Sequence, residues 1–195
     1  GDLICASGVG ASAASCVAIA RAITDEFRLK WNDVRINEAA FEGEKGYHGT
    51  PSGIDNTAST FGGLVYFVKN MKGGPDRMDT TKLKNAVELV MGSSGITSDT
   101  KEVVDDVKKL KDKDPKWFDG IITEYSRLVA DGRQALESFD LPLVGKLMDK
   151  NHILLQKITV SNEVLDSMVA LSRKAGALGA KVTGTGRGGN MIALT

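Results

Sequence analysis

The sequence predicts an α+β fold in two parts, and three observations carry that expectation. Helix-like and strand-like runs come in blocks rather than in regular alternation. A turn-forming stretch, Lys72-Gly73-Gly74-Pro75-Asp76, separates an earlier block from a later one. The later block holds long amphipathic helices and closes on two short strands flanking a glycine loop.

In order, Leu3-Ile4-Cys5-Ala6 reads as a strand entering the turn Ser7-Gly8-Val9-Gly10. Ala11 to about Phe27 suits a helix, because Ala14, Val17, Ala18, Arg21 and Ala22 recur at helical spacing. Asn32 is placed to N-cap a second helix running to Glu42. The stretch from Glu44 to Asn56 is turn-rich, and residues 56–61 extend a short helix after Asp55. Leu64 to Val68 is a strand. Beyond the linker, Ala86 to Met91 reads as a strand. Thr97 or Asp99 then opens a helix to about Lys111, with Val103, Val104, Val107 and Leu110 on one face. Pro115 fits the first turn of a long helix through Phe139, and Pro142 opens one through Ile158. Ser161-Asn162 opens another through Ala175. Lys181 to Thr183 and Met191 to Leu194 are the closing strands.

Composition narrows the function classes. Among 195 residues, 25 basic and 25 acidic side chains cancel, and 42% are hydrophobic, which excludes a disordered chain. Zero net charge argues against a general nucleic-acid binder. Cys5 and Cys16 cannot make a disulfide framework and read as reduced, as in a cytoplasmic protein. His48 and His152 are too few for a His-rich metal site. No run approaches the ~20 apolar residues of a membrane span. The first residues carry no basic n-region, so no signal peptide is expected. Trp31, Trp117 and His152 read as packing residues, and Lys108 to Lys116 as a solvated helix end. Glycine is in excess, with 22 residues where an average usage of about 7% gives roughly 14.

Three stations hold much of that glycine. The first, Gly8-Val9-Gly10-Ala11-Ser12-Ala13, is a turn feeding a helix start. Unpaired amides and the helix dipole there suit a phosphate, and Ser12 adds a hydroxyl for phosphate or Mg²⁺. A dinucleotide fingerprint does not fit, because residues 30–42 look helical where a second strand is needed. A Walker loop does not fit either, since no Gly-Lys-Ser/Thr follows. Taken alone, the stretch is equally a ligand-free tight turn. The second station sets Glu44 and Asp55 around Gly49-Thr50-Pro51-Ser52-Gly53. One carboxylate suits a metal and the other a hydroxyl proton, although composition alone also accommodates two solvated acids. The third is Thr183-Gly184-Thr185-Gly186-Arg187-Gly188-Gly189, which on its own is a permissive hairpin.

Together the three stations resemble the GHMP kinases (galacto-, homoserine, mevalonate and phosphomevalonate kinases). The first is similar to that family's phosphate loop, with Val9 for Leu and Ala11 for its first serine. The second, Gly43-Glu44 through His48-Gly49-Thr50-Pro51-Ser52-Gly53-Ile54-Asp55-Asn56, is the most specific and is most similar to the mevalonate-phosphorylating branch. The third resembles the Thr-Gly-Ala-Gly-Gly-Gly-Gly loop, with Thr185 for Ala and Arg187 for Gly.

The resemblance implies a two-domain fold: residues 1–72 as part of a ribosomal-protein-S5-domain-2-like, ATP-binding domain and 77–195 as part of a ferredoxin-like C-terminal domain. It implies ATP and Mg²⁺ as cofactors and mevalonate as the small-molecule partner, with no nucleic acid and no membrane. Asp55 is expected as the catalytic residue. Gly8, Val9, Gly10, Ala11, Ser12, Gly184 and Gly186 are expected at the nucleotide, and Ser52, Thr100 and Gly186 at the substrate. Ser12 and Glu44 are expected at the metal. Gly184 to Gly189 would close over the phosphates and substrate from the second domain. His48 is expected to shape its loop, and Arg187 either to point to solvent, the favoured reading, or to cap phosphate charge. The chain is expected to be an internal stretch of the kinase, without the N-terminal motif and the extreme C-terminus, and inactive alone. The family leaves open a homodimer and a peroxisome-like or other organelle. Another family member acting on phosphomevalonate or galactose is the near alternative, and a non-catalytic nucleotide-binding protein the distant one.

Overall fold

The computed structural model describes residues 9–48, 51–68, 70, 76–81, 83 and 85–195, with the side chains of residues 47 and 48 excluded. The expected strand Leu3–Ala6, Gly8, Gly49-Thr50, the linker residues 72–75 and the His48 side chain lie outside the described residues. The chain divides into two compact units, Gly1–Lys84 and Asn85–Thr195.

In the first unit, α1 (Ala11–Glu26) and α2 (Asp33–His48) pack along small residues. Val17 and Ala20 of α1 meet Ile36 and Ala40 of α2, with Cys16, Trp31 and Ala39 around them. Asn32 caps α2 as expected, its Oδ1 accepting from Arg35 N at 3.0 Å. This helix runs past the expected end at Glu42, through Gly43 and Gly46, to His48. Helical glycine costs about 1 kcal/mol against alanine, and tertiary contact offsets it. At Gly43 the reason is space: a Cβ there would stand 2.9 Å from Cys16 Sγ.

The third helix, α3 (Ile54–Phe61), turns three buried polar residues inward: Asn56, Thr57 and Thr60. Asn37 of α2 satisfies them as a group. Its Oδ1 accepts from Asn56 Nδ2 at 2.8 Å and from Thr60 Oγ1 at 3.3 Å, while its Nδ2 donates to Thr57 Oγ1 at 3.4 Å. Arg21 of α1 joins by donating to Thr60 O at 3.0 Å and pairing with Asp33 at 2.9 Å. Strand β1 (Leu64–Val68) pairs antiparallel with β2 (Arg77–Thr81), Tyr66 opposite Asp79. This hairpin ties residues 77–81 to the first unit, whereas the sequence reading started the second domain at residue 77.

The second unit is a three-stranded antiparallel sheet with helices. Its order is β3 (Leu89–Ser93), β5 (Asn190–Leu194), β4 (Gly179–Thr183). The first strand lies a little beyond the expected Ala86–Met91, because β5 fixes its register by pairing Leu89 with Leu194 and Ser93 with Asn190. Helix α4 (Thr100–Lys113) is capped by Asp99, which accepts from Lys101 N at 2.8 Å. Val103 is buried, but Val104, expected beside it, is 58% exposed. One residue along a helix rotates by about 100°, and here that rotation carries Val104 off the narrow face that Val103 buries.

Helices α5 (Pro115–Glu137), α6 (Leu141–Lys157) and α7 (Glu163–Lys174) start where the sequence placed them, with Asp114, Asp140 and Asn162 as N-caps. Leu165 and Val169 pack on Ala180, Val182, Met191 and Ala193, and Ala135, Val144 and Leu147 on Leu194. Gly145 of α6 crosses Gly179 of β4 so closely that a methyl on either would overlap the other segment's backbone. His152 is a core residue as expected, donating from Nε2 to Asp166 at 3.1 Å. Trp117 is 39% exposed, and its neighbour Phe118 takes the buried place. Among the described residues, no helix is long and apolar enough to cross a membrane.

Candidate functional site

The α1–α3 corner of the first unit collects most of the first two stations. Val9 precedes Gly10, whose φ of 70° is left-handed and natural for glycine. Gly10 is the N-cap position of α1 and has no side chain with which to cap the first turn. Ser12 lies in that first turn and is half-buried.

Asp55 stands directly beside this helix start. A Cβ built on Gly10 would lie 3.5 Å from Cβ and Cγ of Asp55 and 3.7 Å from its Oδ1. The sequence reading put Asp55 just ahead of a helix. The structure puts it in the first turn of α3, where the helix dipole favours a carboxylate.

Glu44 is the larger correction. It is a helical residue of α2 rather than part of a turn, and only 3% exposed. Its carboxylate is close enough to Cys16 to act on it. Burial pushes the Cys16 thiol up, and the Glu44 charge adds to that. Glu44, Pro51, Ser52, Gly53, Asp55 and Asn56 line one cavity of about 180 Å³. Ser52 Oγ accepts from Ile54 N at 3.3 Å, which shapes the entry to α3. The structure thus brings Glu44, Ser52 and Asp55 to one cavity and Gly10 to the side of Asp55.

Thr100, Gly184 and Gly186 belong to the second unit. Thr100 opens α4, and its Oγ1 lies 3.2 Å from Thr185 Oγ1 in the glycine loop. Gly184 and Gly186 are left-handed, with φ of 76° and 84°. A Cβ on Gly186 would overlap the carbonyl oxygen of Val160. Arg187 does not point to solvent as expected. Its Nε donates to Thr159 O at 2.8 Å, Nη2 to Thr159 Oγ1 at 2.9 Å and Nη1 to Asp106 Oδ2 at 2.7 Å.

Those partners explain the correction: a carboxylate on α4 and the α6–α7 connection offer the guanidinium charge-assisted acceptors that a sequence does not display. The sequence reading also missed Asn56 as a cavity residue and Thr185 as the partner of Thr100. Asn56 carried a signal, since a polar residue next to a key carboxylate at a helix start is a natural wall of the same cavity.

A family profile for the GHMP kinases N terminal domain matches residues 2–63, and one for the GHMP kinases C terminal matches residues 133–195. The chain belongs to the GHMP kinase family. It is 36% identical over 193 residues to a mevalonate kinase of Thermococcus sibiricus, covering 96% of this chain and 56% of that protein. It is 33% identical over 193 residues to that of Thermococcus gammatolerans, with the same coverage. The crystal structure of L. major mevalonate kinase in complex with R-mevalonate superposes with a TM-score of 0.90 at 42% identity, covering 95% of this chain and 56% of that one. The chain therefore spans about half the length of the relatives it matches.

Proposed function

We propose that the protein phosphorylates the primary hydroxyl of mevalonate with ATP, giving 5-phosphomevalonate and ADP, a step of isoprenoid and sterol biosynthesis. The observation that carries this reading is the cavity that joins Glu44, Ser52 and Asp55, with Gly10 beside Asp55. The two relatives above are named mevalonate kinases, and the L. major enzyme was crystallised with R-mevalonate, which supports the acceptor. We assign the unit Gly1–Lys84 to the ATP-binding domain of such a kinase and the unit Asn85–Thr195 to its C-terminal domain.

In this reading, the amides from Gly8 to Ser12 hold ATP phosphates at the start of α1. Gly184 and Gly186 contribute backbone to the nucleotide, and Ser52, Thr100 and Gly186 to the acceptor. Asp55 orients the acceptor hydroxyl and takes its proton during transfer. An alcohol is a far weaker acid than a carboxylic acid, so proton transfer accompanies a loose transition state rather than preceding it.

Oxygen donors at Glu44 and Ser12 suit Mg²⁺. Among the described residues, no three His, Cys, Asp or Glu side chains cluster to hold a metal. Mg²⁺ takes one or two carboxylates and fills its other positions with water and phosphate oxygens, so Glu44 with Ser12 would suffice to hold it. When bound it neutralises charge on the transferred phosphoryl group.

A coupled ADP-release assay of the intact protein with mevalonate, phosphomevalonate and galactose tests the acceptor. Turnover with mevalonate alone is expected. Preferential turnover with either of the others reassigns the protein within its family. ADP release from none of the three, with Mg·ATP still bound, would favour a non-catalytic nucleotide-binding protein.

A further inference from the structure

The glycine loop is fastened from two sides, and Arg187 is the residue that reaches both. On one side it meets the α6–α7 connection. Arg187 N donates to Val160 O at 2.8 Å, and the guanidinium takes both the carbonyl and the hydroxyl of Thr159. On the other side it pairs with Asp106 of α4 at 2.7 Å. Thr100 lies on that same helix, six residues ahead of Asp106 and about 9 Å away along the axis. The loop's remaining ties reach the segment that enters α4. Thr185 Oγ1 meets Thr100 Oγ1 at 3.2 Å, Gly189 N donates to Ile96 O at 2.7 Å, and Ser94 N donates to Gly189 O at 2.8 Å.

The backbone around the fork is held against its own preference. Arg187 and Thr159 both sit in the left-handed region, at φ of 53° and 63°. A non-glycine residue persists there only where surrounding contacts over-determine it. The three guanidinium bonds and the Val160 bond supply that determination. The geometry gives Arg187 a charged partner and two backbone-anchored acceptors, so its donors are directed into the protein.

We infer that Arg187 is a positioning residue: by bridging Thr159 and Asp106 it sets the glycine loop against the start of α4 and so fixes the Thr100–Thr185 pair, without touching phosphate itself. The inference rests on the reading that Thr100 and Gly186 serve the acceptor. Arg187→Ala and Asp106→Ala should then have the same effect, because each cuts the same bridge. A residue that caps phosphate would behave differently, since Asp106→Ala would leave its contact intact.

The test uses the intact protein and two independent readouts. In steady-state kinetics, Arg187→Ala is expected to raise KM for mevalonate about tenfold with kcat within about threefold. Asp106→Ala should match it, and the double variant should be no worse than either single one. Arg187→Lys keeps the charge without the fork and should recover only part of the loss. In amide hydrogen exchange without substrate, Arg187→Ala should lose protection at residues 185–189 and near Thr100 together. Thr159→Gly removes one acceptor while relieving left-handed strain, so it keeps the test open if Arg187→Ala folds poorly. It should show a weaker form of both changes. Additive single variants, a rise in KM for ATP alone, or unchanged exchange would each overturn the inference. If the wild type does not turn over mevalonate, the acceptor reading fails, while the exchange experiment still decides the role of Arg187.

Discussion

The Gly10–Asp55 corner and the Gly184–Gly189 loop both rely on left-handed glycine, yet they are built in opposite ways. At the corner, charge is carried by helices. Asp55 sits in the first turn of α3 and Glu44 is buried on α2, and the cavity between them has open volume. A Cβ on Gly10 would meet only ordinary van der Waals neighbours at 3.5 Å. The loop has no such slack. Its backbone presses on Val160 and Ile96, and hydrogen bonds run from it to both neighbouring segments. The first region leaves room for a ligand around fixed carboxylates, and the second spends its side chains on fixing its own backbone.

A glycine-to-alanine change in each region separates the two cases. Gly186→Ala places a methyl into the Val160 carbonyl at a positive φ and should cost on the order of 3 kcal/mol or more, read as a fall in the denaturation midpoint. Asn37→Ala should come next, at about 2 kcal/mol, because it strips partners from buried Asn56 and Thr60 beneath the corner. Gly10→Ala should cost only about 1–2 kcal/mol, from left-handed strain alone, while weakening Mg·ATP binding measured by calorimetry. Equal losses at Gly10 and Gly186 would erase the distinction between the two regions.

A pH dependence of no greater size lies in the strand that feeds the loop. Burial pushes the Lys181 ammonium down from 10.5 to about 8. Between those values the unfolded chain binds more protons than the folded one, so stability rises as pH goes from about 8 to 10.5. Lys181→Met should therefore stabilise the protein at pH 7 by about 1–2 kcal/mol, discounted for partial exposure, and the gain should fade toward pH 10. His152 works at the other end. Burial lowers it despite Asp166, so its contribution is present above about 6.5 and is lost as pH falls, when the unfolded imidazole takes a proton first.

Legibility in the sequence followed the range of the interactions. Helix starts were legible because Asn32, Asp99 and Asn162 accept from amides a few residues on, and Pro115 and Pro142 fix φ in the first turn. The end of α2 was not, because its glycines read locally as turn formers, and the close approach of Cys16 that favours glycine at 43 comes from another helix. The first glycine station carries a local signal of an anion-binding turn, and the second carries two carboxylates in the right order. The meeting of Glu44, Ser52, Asp55 and Asn56 at one cavity depends on how α2 and α3 dock through Asn37. Arg187 was misread for the same reason, since its acceptors lie 28 and 81 residues away.

Asp55→Asn in the intact protein puts the central claim to its most direct test, with single-turnover phosphorylation of mevalonate measured beside Mg·ATP affinity. The substitution keeps the volume beside Gly10 but removes the negative charge and the ability to take a proton. The rate should fall by about 10²–10⁴-fold while Mg·ATP binds nearly as before. A near-normal rate would contradict the assignment of Asp55 as the acceptor's base, and with it the reading of this corner as the site of phosphoryl transfer.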